Sequence, residues 1–166
     1  MPVTSRVLIA NRGEIAVRII RACRDYGWES VAVYDPDESN ALHVRLATDA
    51  YRLDSAMPIP YLDIEALIAI AKRSGCGYVH PGYGFLAENA GFAETVKDAG
   101  LTYIGASADA IRTMGDKVAA RAAAVASGLP ILPGTVEPLV SVAGAHDWAA
   151  ANGFPVALKA AAGGGG

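Results

Sequence analysis

Cysteine is scarce in these 166 residues. Cys23 and Cys76 are the whole supply, too few and too far apart for a disulfide scaffold or a zinc site. His43, His80 and His146 have no cysteine or carboxylate at ligand spacing, so no metal site is expected. Basic residues are not in excess: 14 Lys and Arg against 17 Asp and Glu leave a net charge of −3. That balance offers no positive field to a nucleic-acid backbone, which excludes nucleic acid as an expected partner. No uninterrupted apolar run approaches the roughly 20 residues of a membrane helix. Residues 1–6 lack the basic start and apolar core of a signal peptide. The expectation is a cytoplasmic protein without membrane association. The dinucleotide fingerprint G-x-G-x-x-G is missing too. What is abundant is apolar: 52% of residues are hydrophobic and 19% charged. Such a chain is not disordered, and its length suits one domain, or one domain and the start of another.

Val7-Leu8-Ile9-Ala10 reads as a buried strand running into a tight turn at Asn11-Arg12-Gly13. Next, Ala16, Ile19, Ile20, Cys23 and Gly27 share one helix face, and Glu14, Arg18, Arg21 and Asp25 another. Gly27 supplies the helix stop. Strands follow at residues 30–34, 50–53, 77–80 and 101–104. Between them lie a helix with Ile64, Leu67, Ile68 and Ala71 facing inward and a helix across 89–99. This alternation specifies an α/β fold: a Rossmann-like open parallel sheet with helices on both faces. Ligands of such sheets sit beyond the strand C-termini. After Ile104 the texture changes. A helix from Ser107 to Met114 precedes an Ala-rich helix capped by Asp116 and ending at Gly128. The stretch 129–134 is stiff and unsuited to a central strand. A helix over 142–151 and a strand over 155–159 lead to three alanines and four glycines. Residues 1–114 are expected to form the sheet domain. Residues 115–166 are expected to be linker helices and the truncated opening of another domain.

Four segments carry chemistry, each with a plainer reading beside it. Asn11-Arg12-Gly13-Glu14 ends the first strand, where helix amides can hold an anion, or serves only as a turn. His80-Pro81-Gly82-Tyr83-Gly84-Phe85 is a rigid loop at another strand end, with His80 read as a hydrogen-bonded loop histidine. In Met114-Gly115-Asp116-Lys117, a lysine in the first turn of a helix is disfavoured by the dipole unless it faces an anion such as a nucleotide phosphate. A solvated surface lysine is the equal alternative. Lys159 before Gly163, Gly164, Gly165 and Gly166 pairs a point charge with amides that can approach phosphates. Its order is not that of a Walker A loop, and a flexible linker is the alternative.

Together these segments resemble the biotin carboxylase family, within the wider ATP-grasp group. The resemblance rests on I-A-N-R-G-E-I-A from Ile9, H-P-G-Y-G-F-L-A-E-N from His80, M-G-D-K from Met114, and Lys159 with its glycines. It runs over the whole chain in the family's order. It implies a Rossmann-like pre-ATP-grasp domain followed by the truncated start of the ATP-grasp and lid region. It also implies a parent ligase that carboxylates biotin on a carrier, using ATP, Mg2+ and bicarbonate. Acetyl- or propionyl-CoA carboxylase, in fatty acid biosynthesis, leads over the pyruvate, methylcrotonyl-CoA or urea enzymes.

By resemblance, Lys117 and Lys159 contact ATP, Gly165 and Gly166 lie in the lid loop over its phosphates, and Gly163 and Gly164 adjoin them. Ala161 and Ala162 depart from the family's serine and glycine. The family's metal-binding glutamates, bicarbonate-binding basic residues and biotin-facing arginine lie beyond residue 166. The chain alone is therefore expected to be inactive, with no catalytic residue, no metal ligand and no tightly bound cofactor. Implied partners are a biotin carboxyl carrier, a carboxyltransferase and a second copy met through the first helix. Arg21 and Asp25 are candidates for that contact, or form a solvated face. The competing reading is a non-catalytic dimerisation or docking module.

Overall fold

β1, Arg6–Ile9, is apolar and buried from Val7 to Ile9 because both of its faces are covered. In a strand successive side chains point to opposite faces. Val7 and Ile9 join the cluster of Ala16, Ile19, Ile20 and Cys23 from α1 (Gly13–Asp25). Leu8 joins the opposite cluster with Leu67, Ile70 and Ala71 of α3 (Ile64–Arg73) and Phe92 and Val96 of α4 (Ala90–Asp98). The computed structural model describes residues 5–135 and 137–159. It divides between Ala108 and Asp109 into two compact units.

In the first unit β1 is the middle strand of five. The order is β3 (Asp49–Arg52), β2 (Glu29–Tyr34), β1, β4 (Tyr78–His80), β5 (Thr102–Tyr103), with every pairing parallel. Helices cover both faces, which is the expected doubly wound sheet. At the strand N-termini, Arg6 bonds the Ser74 carbonyl at 2.8 Å and pairs with Glu29 and Asp49. Asp63 and Asn89 cap α3 and α4 by accepting the amides of Ala66 and Phe92. Gly27, at φ +70°, ends α1 in the left-handed region that side chains avoid. A five-residue helix, α2 (Leu42–Leu46), intervenes between β2 and β3. It is too short to leave a 3.6-residue periodicity in the sequence.

The second unit contains α5 (Ala108–Gly115, entered from the last residue of the first unit), α6 (Lys117–Ala126) and α7 (Val142–Asn152). Ser141 caps α7 through the Gly144 amide. The stretch 129–134 is irregular, and Arg121 holds it by donating to the Leu132 carbonyl at 2.7 Å. Residues 155–159 correct an expectation: they form no strand. A strand is held by its neighbours' hydrogen bonds, and Pro155 has no N–H to contribute. No described strand pairs with this segment. Residues 163–166, expected to lack secondary structure, lie outside the described residues. Among the described residues no helix is long and apolar enough to cross a membrane.

Leu8 and Phe92 are fully buried in one cluster, and Phe92 meets the Tyr103 ring edge-on at 5.9 Å. Truncation of either to alanine is expected to remove about 3 kcal/mol or more of stability. The shift in the urea midpoint measures it.

Candidate functional site

The chain leaves β1 toward β2 and β3, then crosses back to place β4 on the other side of β1. The C-terminal ends of β1 and β4 therefore flank the topological switch point, where open sheets receive ligands. Here the two ends are tied together by Asn11. Its side chain is fully buried and donates to the carbonyls of Pro81 and Tyr83 at 2.8 and 2.9 Å. Its Oδ1 accepts the Arg12 amide at 2.9 Å. Gly82 sits against this amide at φ +69°, and a Cβ there would lie 2.6 Å from Asn11 Nδ2. Glycine is required on both grounds. His80 is the hydrogen-bonded loop histidine the sequence suggests, since its Nδ1 accepts the Gly82 amide at 2.9 Å. Burial holds its pKa below the ordinary value.

Arg12 closes the same end of the sheet. Its guanidinium lies 5.8 Å from the centroids of both Tyr61 and Phe85, within cation–π range. The two rings stack at 5.2 Å. Glu38 accepts from Arg12 at 2.6 Å and from the Tyr61 hydroxyl at 2.5 Å. Burial first, then the bond to Glu38, pushes the Tyr61 phenol well above its usual range. Phe85 adopts φ +40°, a strained conformation for a non-glycine residue of the kind that gathers at functional sites. Buried His43 places Nε2 3.3 Å from the Val33 carbonyl, which assigns the proton to Nε2. Its Nδ1 has no hydrogen-bond partner among the described residues. Burial lowers its pKa.

On α1, Arg21 and Asp25 come together with Glu14, Arg18, Leu42 and Tyr83 around an open groove of about 740 Å³. Tyr83 is 61% exposed and donates its hydroxyl to Glu14 at 2.9 Å. That bond, more than any burial, raises the Tyr83 pKa. Cys23 and Cys76 are both free and buried, in separate clusters on the two sheet faces. Burial raises both thiol pKa values and leaves them poor nucleophiles.

In the second unit Asp116 accepts the amides of Val118 and Ala119 at 2.9 and 2.8 Å. This is the expected cap, and it puts Lys117 in the first turn of α6. The cap uses those two amides, so an anion at this helix end would meet the Lys117 ammonium rather than Val118 or Ala119. Lys159 is exposed in the irregular segment after α7. Gly163, Gly164, Gly165 and Gly166 lie outside the described residues.

Asn11 is the residue that sequence reading misses, because an asparagine after a strand signals only a turn. Asn11→Asp keeps the shape but replaces the donor of both loop bonds with a carboxylate oxygen facing two carbonyls. The expected cost is about 3 kcal/mol or more. An unchanged denaturation midpoint would contradict this account of the tie.

The comparisons with known proteins agree with these motifs. Residues 3–111 match the family model for the biotin carboxylase N-terminal domain. Residues 116–166 match the ATP binding domain of the carbamoyl-phosphate synthase L chain. The chain is 50% identical over 163 residues to the alpha3 subunit of a biotin-dependent acyl-coenzyme A carboxylase of Mycobacterium leprae, covering 98% of this chain and 27% of that one. It is 49% identical over 162 residues to biotin carboxylase 1 of Bacillus subtilis, covering 97% and 36%. Rat mitochondrial pyruvate carboxylase is 47% identical over 163 residues, covering 97% and 14%. Among solved structures, the biotin carboxylase domain of Hydrogenobacter thermophilus 2-oxoglutarate carboxylase superposes with a TM-score of 0.90 at 43% identity, covering 97% and 36%. That structure is a dimer in complex with MgADP, ADP and bicarbonate. The chain thus spans a minor part of the relatives it matches. With residues 3–111 matched to its N-terminal domain, the chain belongs to the biotin carboxylase family.

Proposed function

We propose that this chain is the N-terminal part of a biotin carboxylase, an ATP-dependent ligase that carboxylates biotin using bicarbonate. The supporting observation is the succession of a biotin carboxylase N-terminal domain over 3–111 and an ATP-binding domain from 116. In this reading Lys117 and Lys159 neutralise and orient the phosphates of ATP. Phosphoryl transfer asks chiefly for such positioning and charge stabilisation. The Asp116 cap supports the role of Lys117, because it fixes the first turn of α6 that carries the ammonium. Gly163, Gly164, Gly165 and Gly166 belong in this reading to a lid loop over the nucleotide. Among the described residues no group of three or more His, Cys, Asp or Glu is placed to hold a metal ion. By resemblance to the family, we assign Mg2+ ligation, and with it the chemical step, to the part of the relatives that this chain does not span.

The carboxyl acceptor lies outside these residues too. Relatives named for acyl-CoA and for pyruvate match at 50% and 47% identity, so acceptor choice is carried elsewhere. An acyl-CoA, with a biotin carrier and a carboxyltransferase as partners, is our preferred assignment. We also read the α1 groove with Arg21 and Asp25 as the contact with a second copy, supported by the dimeric state of the H. thermophilus domain.

Lys117→Ala and Lys159→Ala in the full-length enzyme are expected to raise the KM for ATP roughly ten- to a hundredfold, the range of a lost charge-assisted hydrogen bond. Both variants should remain folded, read by thermal unfolding. Unchanged ATP kinetics in both variants would overturn the assignment. Arg21→Glu is expected to weaken self-association at least tenfold, read by sedimentation velocity.

A further inference from the structure

His80 stands at the end of β4, where the chain turns into the loop that occupies the switch point. Four side-chain contacts hold the turn. Asn11 holds its carbonyls at Pro81 and Tyr83. Arg12 lies against its Phe85 ring. The Tyr83 hydroxyl donates to Glu14 at the surface. The His80 ring holds the Gly82 amide. Only the last requires a neutral imidazole. Nδ1 accepts a hydrogen bond from Gly82 N–H, which requires a bare lone pair on that nitrogen. An imidazolium carries protons on both nitrogens and would set N–H against N–H. The turn that presents Tyr83 is therefore compatible with neutral His80 alone.

We infer that His80 is a positioning residue for the reaction: its neutral ring holds the Gly82–Tyr83 turn at the ligand end of the sheet, and its protonation releases that turn. The inference rests on the carboxylase reading above for the reaction that is read, and on the sheet's switch point for the placement of the loop. Two features tie the loop to function. It leaves the sheet at the switch point between β1 and β4, where ligands of open sheets bind. It also carries the strained Phe85 backbone beside an aromatic ring left largely in solvent.

The electrostatic surroundings make the response simple. Burial alone lowers the His80 pKa. The nearby charges of α1, Glu14 and Arg18, act on Tyr83 instead. From β1 the residue in register is Ile9, and Asn11 beyond it is uncharged. Neither β5 nor α4 contributes a charge that shifts His80. Because the folded-state pKa is depressed, the neutral ring's contribution is complete above about pH 6.5, the unfolded value. It declines as pH falls below that value and through the folded pKa. His43, also buried and neutral, titrates in the same direction, so the test must isolate the loop.

The test uses the full-length enzyme, with two readouts between about pH 8 and pH 5.5. One is amide hydrogen exchange of peptides covering 80–89, corrected for the intrinsic pH dependence. The other is ATP-dependent carboxylation of free biotin. His80→Asn keeps an acceptor, Oδ1, at the place of Nδ1 and removes the titration. His80→Leu removes both.

In the wild type, loop protection is expected to fall below about pH 6.5, and kcat to fall with it as the pH passes through the lowered pKa of the folded state, with the KM for ATP unmoved. His80→Asn should flatten both profiles. His80→Leu should show the acid-like loop at every pH, with kcat lower by roughly tenfold, the scale of one lost buried hydrogen bond. Loop protection that does not change with pH in the wild type overturns the inference without recourse to any variant. So does an acid-to-neutral ratio of kcat that is the same in His80→Asn as in the wild type. Absence of carboxylation by the wild type at every pH overturns the carboxylase reading instead, and the exchange arm still decides whether His80 holds the turn.

Discussion

A buried side-chain amide must find partners for its N–H groups, and Asn11 meets that demand across the switch point. Its two donated bonds reach residues 70 and 72 positions further along the chain. Leaving those carbonyls unpaired would cost on the order of 1–3 kcal/mol for each buried group. The loop after β4 is consequently bound to the end of β1. The absence of a side chain at Gly82, the bond to His80 Nδ1 and the exposure of Tyr83 all follow from that attachment.

This attachment explains how a sheet of Rossmann-like topology departs from dinucleotide binding. The switch-point end carries the chain's own groups: the Asn11 amide, the Arg12 guanidinium over Tyr61 and Phe85, and Glu38 bridging Arg12 to Tyr61. The sequence there has no G-x-G-x-x-G turn to bring backbone against a pyrophosphate. Our reading accordingly gives nucleotide phosphates to the lysines of the second unit. The sheet then serves as a stiff frame, with both core clusters anchored on β1.

Local pattern made most elements legible. The inward residues of α1 and α3 follow the helical period, and capping residues Asp63, Asn89 and Asp116 stand where their types predict. The misreadings have physical causes. Val156, Ala157 and Leu158 have a strand-like composition, yet a strand needs a neighbour, and no described strand pairs with them. The α2 helix is a single turn and a half whose existence depends on what it covers. Its His43 is buried with Nε2 on the Val33 carbonyl of β2. No window of sequence contains both partners' geometry. At the candidate site the lysines and glycines are expectations from the family resemblance, and His80 was legible as a hydrogen-bonded loop histidine. The partners of Asn11 and Arg12 were not.

By itself the sequence determined that a short apolar strand would be buried in a parallel sheet. It determined where the longer helices start and stop, and, through I-A-N-R-G-E and H-P-G-Y-G-F, to which family the chain belongs. These are properties of neighbouring residues, expressed by periodicity and side-chain type. Tertiary structure alone decided that Asn11 would hold the loop after β4 and that Arg12 would be held by Glu38 against two rings. Hydrogen bonds are directional and act within about 3 Å. Folding therefore had to bring Asn11 to carbonyls 70 and 72 residues away, and Arg12 to Glu38, 26 residues away, before these roles existed.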